Sequence, residues 1–94
     1  MKMILNTTEV AITSFYETLN EATHTLNATN TFKVDSGVSF PELEALIGMA
    51  VSNCTITNAN NVSIPTQGSY TKVDGITISY DDRNEMYTAN IVLT

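Results

Sequence analysis

From Ala22 to Val34 the chain alternates with a period of two. Ala22, His24, Leu26, Ala28, Phe32 and Val34 fall on one side, interrupted only by Asn30, while Thr23, Thr25, Asn27, Thr29, Thr31 and Lys33 fall on the other. Successive side chains of a strand point to opposite faces, so the pattern predicts a long strand over residues 23–34 with one apolar and one polar side. Such a strand needs neighbours to satisfy its backbone groups, and a sheet is therefore the element to which the rest of the chain must be fitted.

The segment before it supplies the first neighbour. Residues 9–18 read as a second strand, with Val10, Ile12 and Tyr16 on one face and a polar turn at Asn20 and Glu21. A helical alternative exists for residues 7–27, because Asn6 and Glu9 form a capping pair and Ile12, Phe15, Leu19, Ala22 and Leu26 recur at three and four. Six Thr, one Ser and two Asn in that segment are weak helix formers and favour the strand pair. Residues 1–5 read as a short strand.

One helix is expected, over 40–47. Ser39 with Glu42 makes a capping box, Pro41 falls in the first turn, and Leu43, Leu46, Ile47 and Ala50 share a face that Gly48 terminates. Asp35-Ser36-Gly37 turns the chain into it. After it, Val51–Thr57 reads as a strand with Cys54 and Ile56 on one face. Asn58–Asn61 is a loop, Val62 and Ile64 form a short return strand ending at Pro65, and Thr66-Gln67-Gly68 turns again. Asp74-Gly75 between alternating runs is a hairpin signal that pairs Val73 with Ile76 and Thr71 with Ile78. A four-residue loop at Asp81–Asn84 then pairs Ile78 with Tyr87 and Ile76 with Ala89. Both registers place Val73, Ile76, Ile78, Tyr80, Tyr87, Ala89, Ile91 and Leu93 on one face of a three-stranded meander over 69–93.

These elements define a mainly β fold in one domain, 1–94: an antiparallel sheet, curled or two-layered like a sandwich or barrel, with one short helix at 40–47. The alternative is an α+β roll with 7–27 as a long helix. The composition suits strands, with 15 Thr and 10 Asn but only 15 % charged residues.

Charge limits function. A net charge of −6, with Lys2, Lys33, Lys72 and Arg83 the only bases, argues against a direct nucleic-acid interface. No apolar run approaches a signal peptide or a membrane span. The lone Cys54 forms no internal disulfide and fits a reducing compartment. Four Asn-x-Ser/Thr matches, at Asn6, Asn27, Asn53 and Asn61, are expected by chance in so Asn- and Thr-rich a chain.

Residues for chemistry are sparse. His24 and Cys54 stand alone in their types, so a zinc site would have to be completed by carboxylates. No Ser sits in a Gly-x-Ser-x-Gly elbow, and no basic residue neighbours Cys54 to activate it. The four glycines all fall at turns or caps rather than in a phosphate loop. Asp81, Asp82, Asn84 and Glu85 depart from calcium-loop spacing. Glu42 and Glu44, two apart on a helix, point in different directions. No catalytic residue, metal ligand or cofactor is assigned, and no small-molecule substrate is expected.

A surface remains. In the meander register Tyr70, Lys72, Met86 and Val92 share the polar face with small hydroxyls, which is a candidate partner contact because aromatic and Met residues are enriched at interfaces. In composition and in its strand–helix–strand layout the chain resembles the short β-rich, Asn/Thr-rich proteins of phages and mobile elements of Gram-positive bacteria. That resemblance implies a structural or assembly protein with protein partners or self-association, located in the cytoplasm of a bacterial host or in a virion. The alternative is an acidic inhibitor that mimics nucleic acid and blocks a host protein. It requires Glu9, Glu17 and Glu21 to line up with Asp81, Asp82 and Glu85.

Overall fold

The computed structural model describes residues 1–33 and 40–94. The turn at Asp35-Ser36-Gly37, the Ser39 cap and Val34 lie outside the described residues. In chain order the elements are β1 (Lys2–Leu5), β2 (Thr8–Ala11), β3 (Ser14–Leu19), β4 (His24–Phe32), α1 (Phe40–Glu44), β5 (Cys54–Thr57), β6 (Ser63–Ile64), β7 (Val73–Asp81) and β8 (Met86–Leu93). They form two antiparallel four-stranded sheets, β2-β1-β5-β6 and β3-β4-β8-β7. The fold is mainly β, as expected, and the long helix over 7–27 is not formed.

Asn6 and Thr7 close the first hairpin, in which Leu5 pairs with Thr8. Asn6 takes φ 57°, the left-handed conformation that the primed hairpin turns need and that Asn tolerates. Its side chain also ties this turn to the loop before β5. Oδ1 accepts from Ser52 N at 2.9 Å and Ser52 Oγ at 3.0 Å, while Nδ2 donates to the Ala50 carbonyl at 2.9 Å. Asn6 therefore caps a hairpin, not a helix.

The expected 9–18 strand is broken at a corner. The Ile12 N–H bonds Met1 O in the first sheet, and the next N–H, that of Thr13, bonds Thr29 O in the second. Strands that switch sheets by a bend make such corners. The bend reverses the inward parity. Val10 and Ile12 are buried before it, and Phe15 packs against the core after it, while Tyr16 is 61 % exposed. This overturns the shared face expected for Val10, Ile12 and Tyr16.

β4 keeps the predicted alternation. Leu26, Ala28, Asn30 and Phe32 are buried, but His24 and Ala22 are exposed. The Asn30 Nδ2 has no hydrogen-bond partner among the described residues.

The expected hairpin at Asp74-Gly75 does not form. β7 runs straight through it, with Val73 opposite Leu93 and Gly75 opposite Val92, so Asp74 is the extra residue of a β-bulge. The three-stranded meander is therefore a two-stranded hairpin, and Val73 pairs with neither Ile76 nor any residue of its own strand. The bulge shifts parity by one, as a two-residue turn would have done, so Val73 and Ile76 still share a face. The β7–β8 loop is Asp82–Glu85, placing Ile78 opposite Ala89 and Tyr80 opposite Tyr87. That register differs by two residues from expectation and so leaves the faces unchanged.

The two sheets share one core. Met3, Leu5 and Ile56 of the first meet Leu26, Ala28, Ala89, Ile91 and Leu93 of the second, all fully buried, with Leu43 and Leu46 from the helical region. The shortest dimension, 22 Å, fits two layers whose backbones stand ~10 Å apart. The helix ends at Glu44 rather than 47. Leu46, Ile47 and Met49 bond back to Leu43, Glu44 and Leu46, a tightened exit of three-residue steps that closes at Gly48 with φ 74°. That tightening turns Ile47, expected on the buried face, out to 61 % exposure.

Candidate functional site

The outward face of the second sheet is assembled by strand parity. Across β3, β4, β8 and β7, one row reads Tyr16, Asn27, Val92, Gly75, and the next reads Ser14, Thr29, Asn90, Thr77. Beyond these lie Thr18 opposite Thr25 on one side, and Thr31, Thr88 and Ser79 on the other. None of these residues is charged, in a chain of net charge −6. Within this array Thr29 Oγ1 donates to Asn90 Oδ1 at 3.0 Å, and the remaining hydroxyls and the Asn27 amide bond no protein group among the described residues.

Three of the four expected contact residues belong to this side. Met86 and Val92 are half-buried members of β8's outward set. Lys72 exchanges both backbone hydrogen bonds with Thr94 at the end of the same edge, and its ammonium lies 3.7 Å from Asp74. Tyr70 does not join them. It precedes β7 in a loop, so strand parity does not reach it, and it is 7 % exposed. The exposed tyrosine of this face is Tyr16, which sequence reasoning had placed inward because the corner at Ile12–Thr13 leaves no trace in the periodicity.

Tyr70 instead closes one end of the sandwich. Its hydroxyl donates to Glu17 Oε2. The same carboxylate accepts from Gln67 N at 3.0 Å and Gly68 N at 2.9 Å, so β3 is clasped to the loop after β6. Gly68 is needed for this approach, since a Cβ there would lie 2.7 Å from the Tyr70 hydroxyl oxygen and 3.0 Å from His24 Cβ. Desolvation pushes the Glu17 pKa up. The Tyr70 hydroxyl, the two backbone N–H groups and the His24 ring outweigh it, leaving Glu17 below its ordinary value. Burial and the Glu17 hydrogen bond raise Tyr70. Cys54 is raised by burial and then by the Glu17 charge, so its thiol stays protonated. His24 Nδ1 accepts from Ser69 N at 3.4 Å. The only histidine and the only cysteine thus stand around one carboxylate that already accepts from three donors. The set is a structural tie, and sequence spacing held no signal for it.

The acidic line-up required by nucleic-acid mimicry is not made. The β3–β4 turn beyond His24 and the β7–β8 turn beyond Met86 sit at opposite ends of the second sheet, since Leu26 pairs with Leu93 and Phe32 with Tyr87. The nine residues of β4 separate the ends, and its eight steps span about 26 Å at ~3.3 Å each. Glu17 is engaged in the clasp, and Glu9 is 3.3 Å from Lys2. At the other tip Asp81 accepts from Arg83 N, Asn84 N and Asn84 Nδ2. The Asn84 amide is the main cause of its lowered pKa.

A third feature is apolar. Leu43, Glu44, Ile47, Ile76 and Ile78 line a groove between α1 and β7. Ile47, Ile78 and Tyr80 are 61 %, 39 % and 49 % exposed. Tyr80 packs against Tyr87 at 4.8 Å between ring centroids, and Tyr87 stacks on Phe32 at 5.6 Å. β7 is also an edge strand: its outer side is capped at Val73, whose N–H bonds Met49 O, and beyond that point it has no backbone partner among the described residues.

Comparison of the chain with models of known protein families, with curated proteins and with solved structures returns no match.

Proposed function

We propose that this chain is a small non-enzymatic structural or assembly protein that works through protein–protein contact, in the cytoplasm of a bacterial host or in a virion. The observation that carries the reading is the apolar groove beside an open sheet edge. Ile47, Ile78 and Tyr80 together expose apolar surface of the kind enriched at interfaces, next to backbone groups that an added strand could pair. The three donors that hold the Glu17 carboxylate in the clasp and the protonated thiol of Cys54 support a non-catalytic reading. The phage-like composition and layout support the setting.

Light scattering after size exclusion, with pull-downs from a bacterial lysate, tests the proposal. The expected result is a self-associated species or a retained partner that is lost in Ile47→Ser/Ile78→Ser while the melting temperature holds. A strict monomer that retains no partner contradicts it.

A further inference from the structure

From the outward face of the second sheet, we infer a binding surface for neutral polysaccharide, independent of the apolar groove. Charge selects the occupant. Among the described residues the central rows carry no charge, and the charged groups on this side, the Lys72–Asp74 pair and Asp81 opposite Met86, stand at the ends of the strands, so neither a phosphate backbone nor an acidic glycan finds a counter-charge in those rows. A folded protein partner fits poorly as well. Covering a carpet of hydroxyls and amides with an apolar interface core would leave each unmatched donor at a desolvation cost.

A neutral glycan meets both demands. Its ring hydroxyls both donate and accept, as do the hydroxyls and amides of the array, which repeat ~4.8 Å apart between strands and ~6.6 Å apart along one face of a strand. Its C–H faces need an aromatic platform, and Tyr16 supplies one at 61 % exposure beside the free Asn27 amide. Ser14, Thr77 and the Thr29–Asn90 pair continue the polar surface across the four strands.

The test is affinity electrophoresis of the full chain through native gels cast with hydroxyethylcellulose, glycogen or galactomannan, and with alginate as the acidic comparison. The expected result is retardation in at least one neutral gel and none in alginate. Tyr16→Ala should weaken it about tenfold, the scale of one lost aromatic contact. Asn27→Ala, a second variant at a half-buried position opposite Tyr16, should weaken it too, and Ile78→Ser should leave it intact. Free mobility in every neutral gel overturns the inference, as does retardation that survives both face variants or appears only in alginate. Dissociation of a self-associated species by Tyr16→Ala, with mobility unaltered, would assign the face to protein contact instead.

Discussion

β4 and β8 turn Leu26, Ala28, Phe32, Ala89, Ile91 and Leu93 to one side and Thr25, Asn27, Thr29, Thr31, Thr88 and Asn90 to the other. The same backbone ladder supports both sets, yet the two faces answer to different physics. The inner one is selected by volume and the hydrophobic effect, where each methylene counts. The outer one carries β-branched hydroxyls that suit a pleated surface without needing a cover. The contrast explains how a chain so rich in Thr and Asn holds an apolar core: apart from Asn30 and the exposed His24, the polar residues of these two strands are segregated by parity.

Substitutions sharpen that contrast, beginning with the core. Ile91→Ala should cost about 2–5 kcal/mol, as a cavity in a fully buried site. Thr77→Ala on the other face should stay within about 0.5 kcal/mol. Urea unfolding monitored by circular dichroism checks both, and comparable losses would erase the distinction.

Two glycines extend the comparison from faces to loops. Gly68→Ala forces a Cβ against Tyr70 and His24 and should cost about 1–3 kcal/mol. Gly75→Ala meets open space and needs no left-handed backbone, so it should change stability by under about 0.5 kcal/mol. Were Asp74-Gly75 a two-residue hairpin turn, the second substitution would be the costly one.

The clasp makes a smaller and pH-dependent contribution. Glu17→Gln should cost about 1–2 kcal/mol at neutral pH, less than a fully buried charged bond because the carboxylate is only partly enclosed. The native state favours the ionised form, so this stability is present above the ordinary value of 4.5 and fades as pH falls through the lowered native value. Unfolding curves for wild type and Glu17→Gln should therefore converge as the solution is acidified; a constant gap would contradict the linkage.

How much of this could be read from the sequence depends on whether parity ran unbroken. The β4 alternation gave its inner face directly, and the faces of β7 and β8 survived a wrong turn and a register error of two because both errors preserved parity. The inference failed wherever the chain bent or left the sheet. The corner at Ile12–Thr13 turned Tyr16 outward and carried Glu17 to the clasp. Tyr70 lies in a loop, where alternation has no meaning, and so it was assigned to the wrong side. The partners of Glu17 are 50 to 53 residues away, and such distant pairings leave no local pattern.

The central claim, an open hydroxyl face backed by a closed core, is tested most directly by thiol labelling of single cysteines in a Cys54→Ala background. Asn27→Cys, Thr29→Cys and Asn90→Cys should react at the rate of an unfolded thiol under native conditions. Ala28→Cys and Ile91→Cys should react only once denaturant is added. Equal protection at both sets would mean that the outer face is covered, and the account would fail.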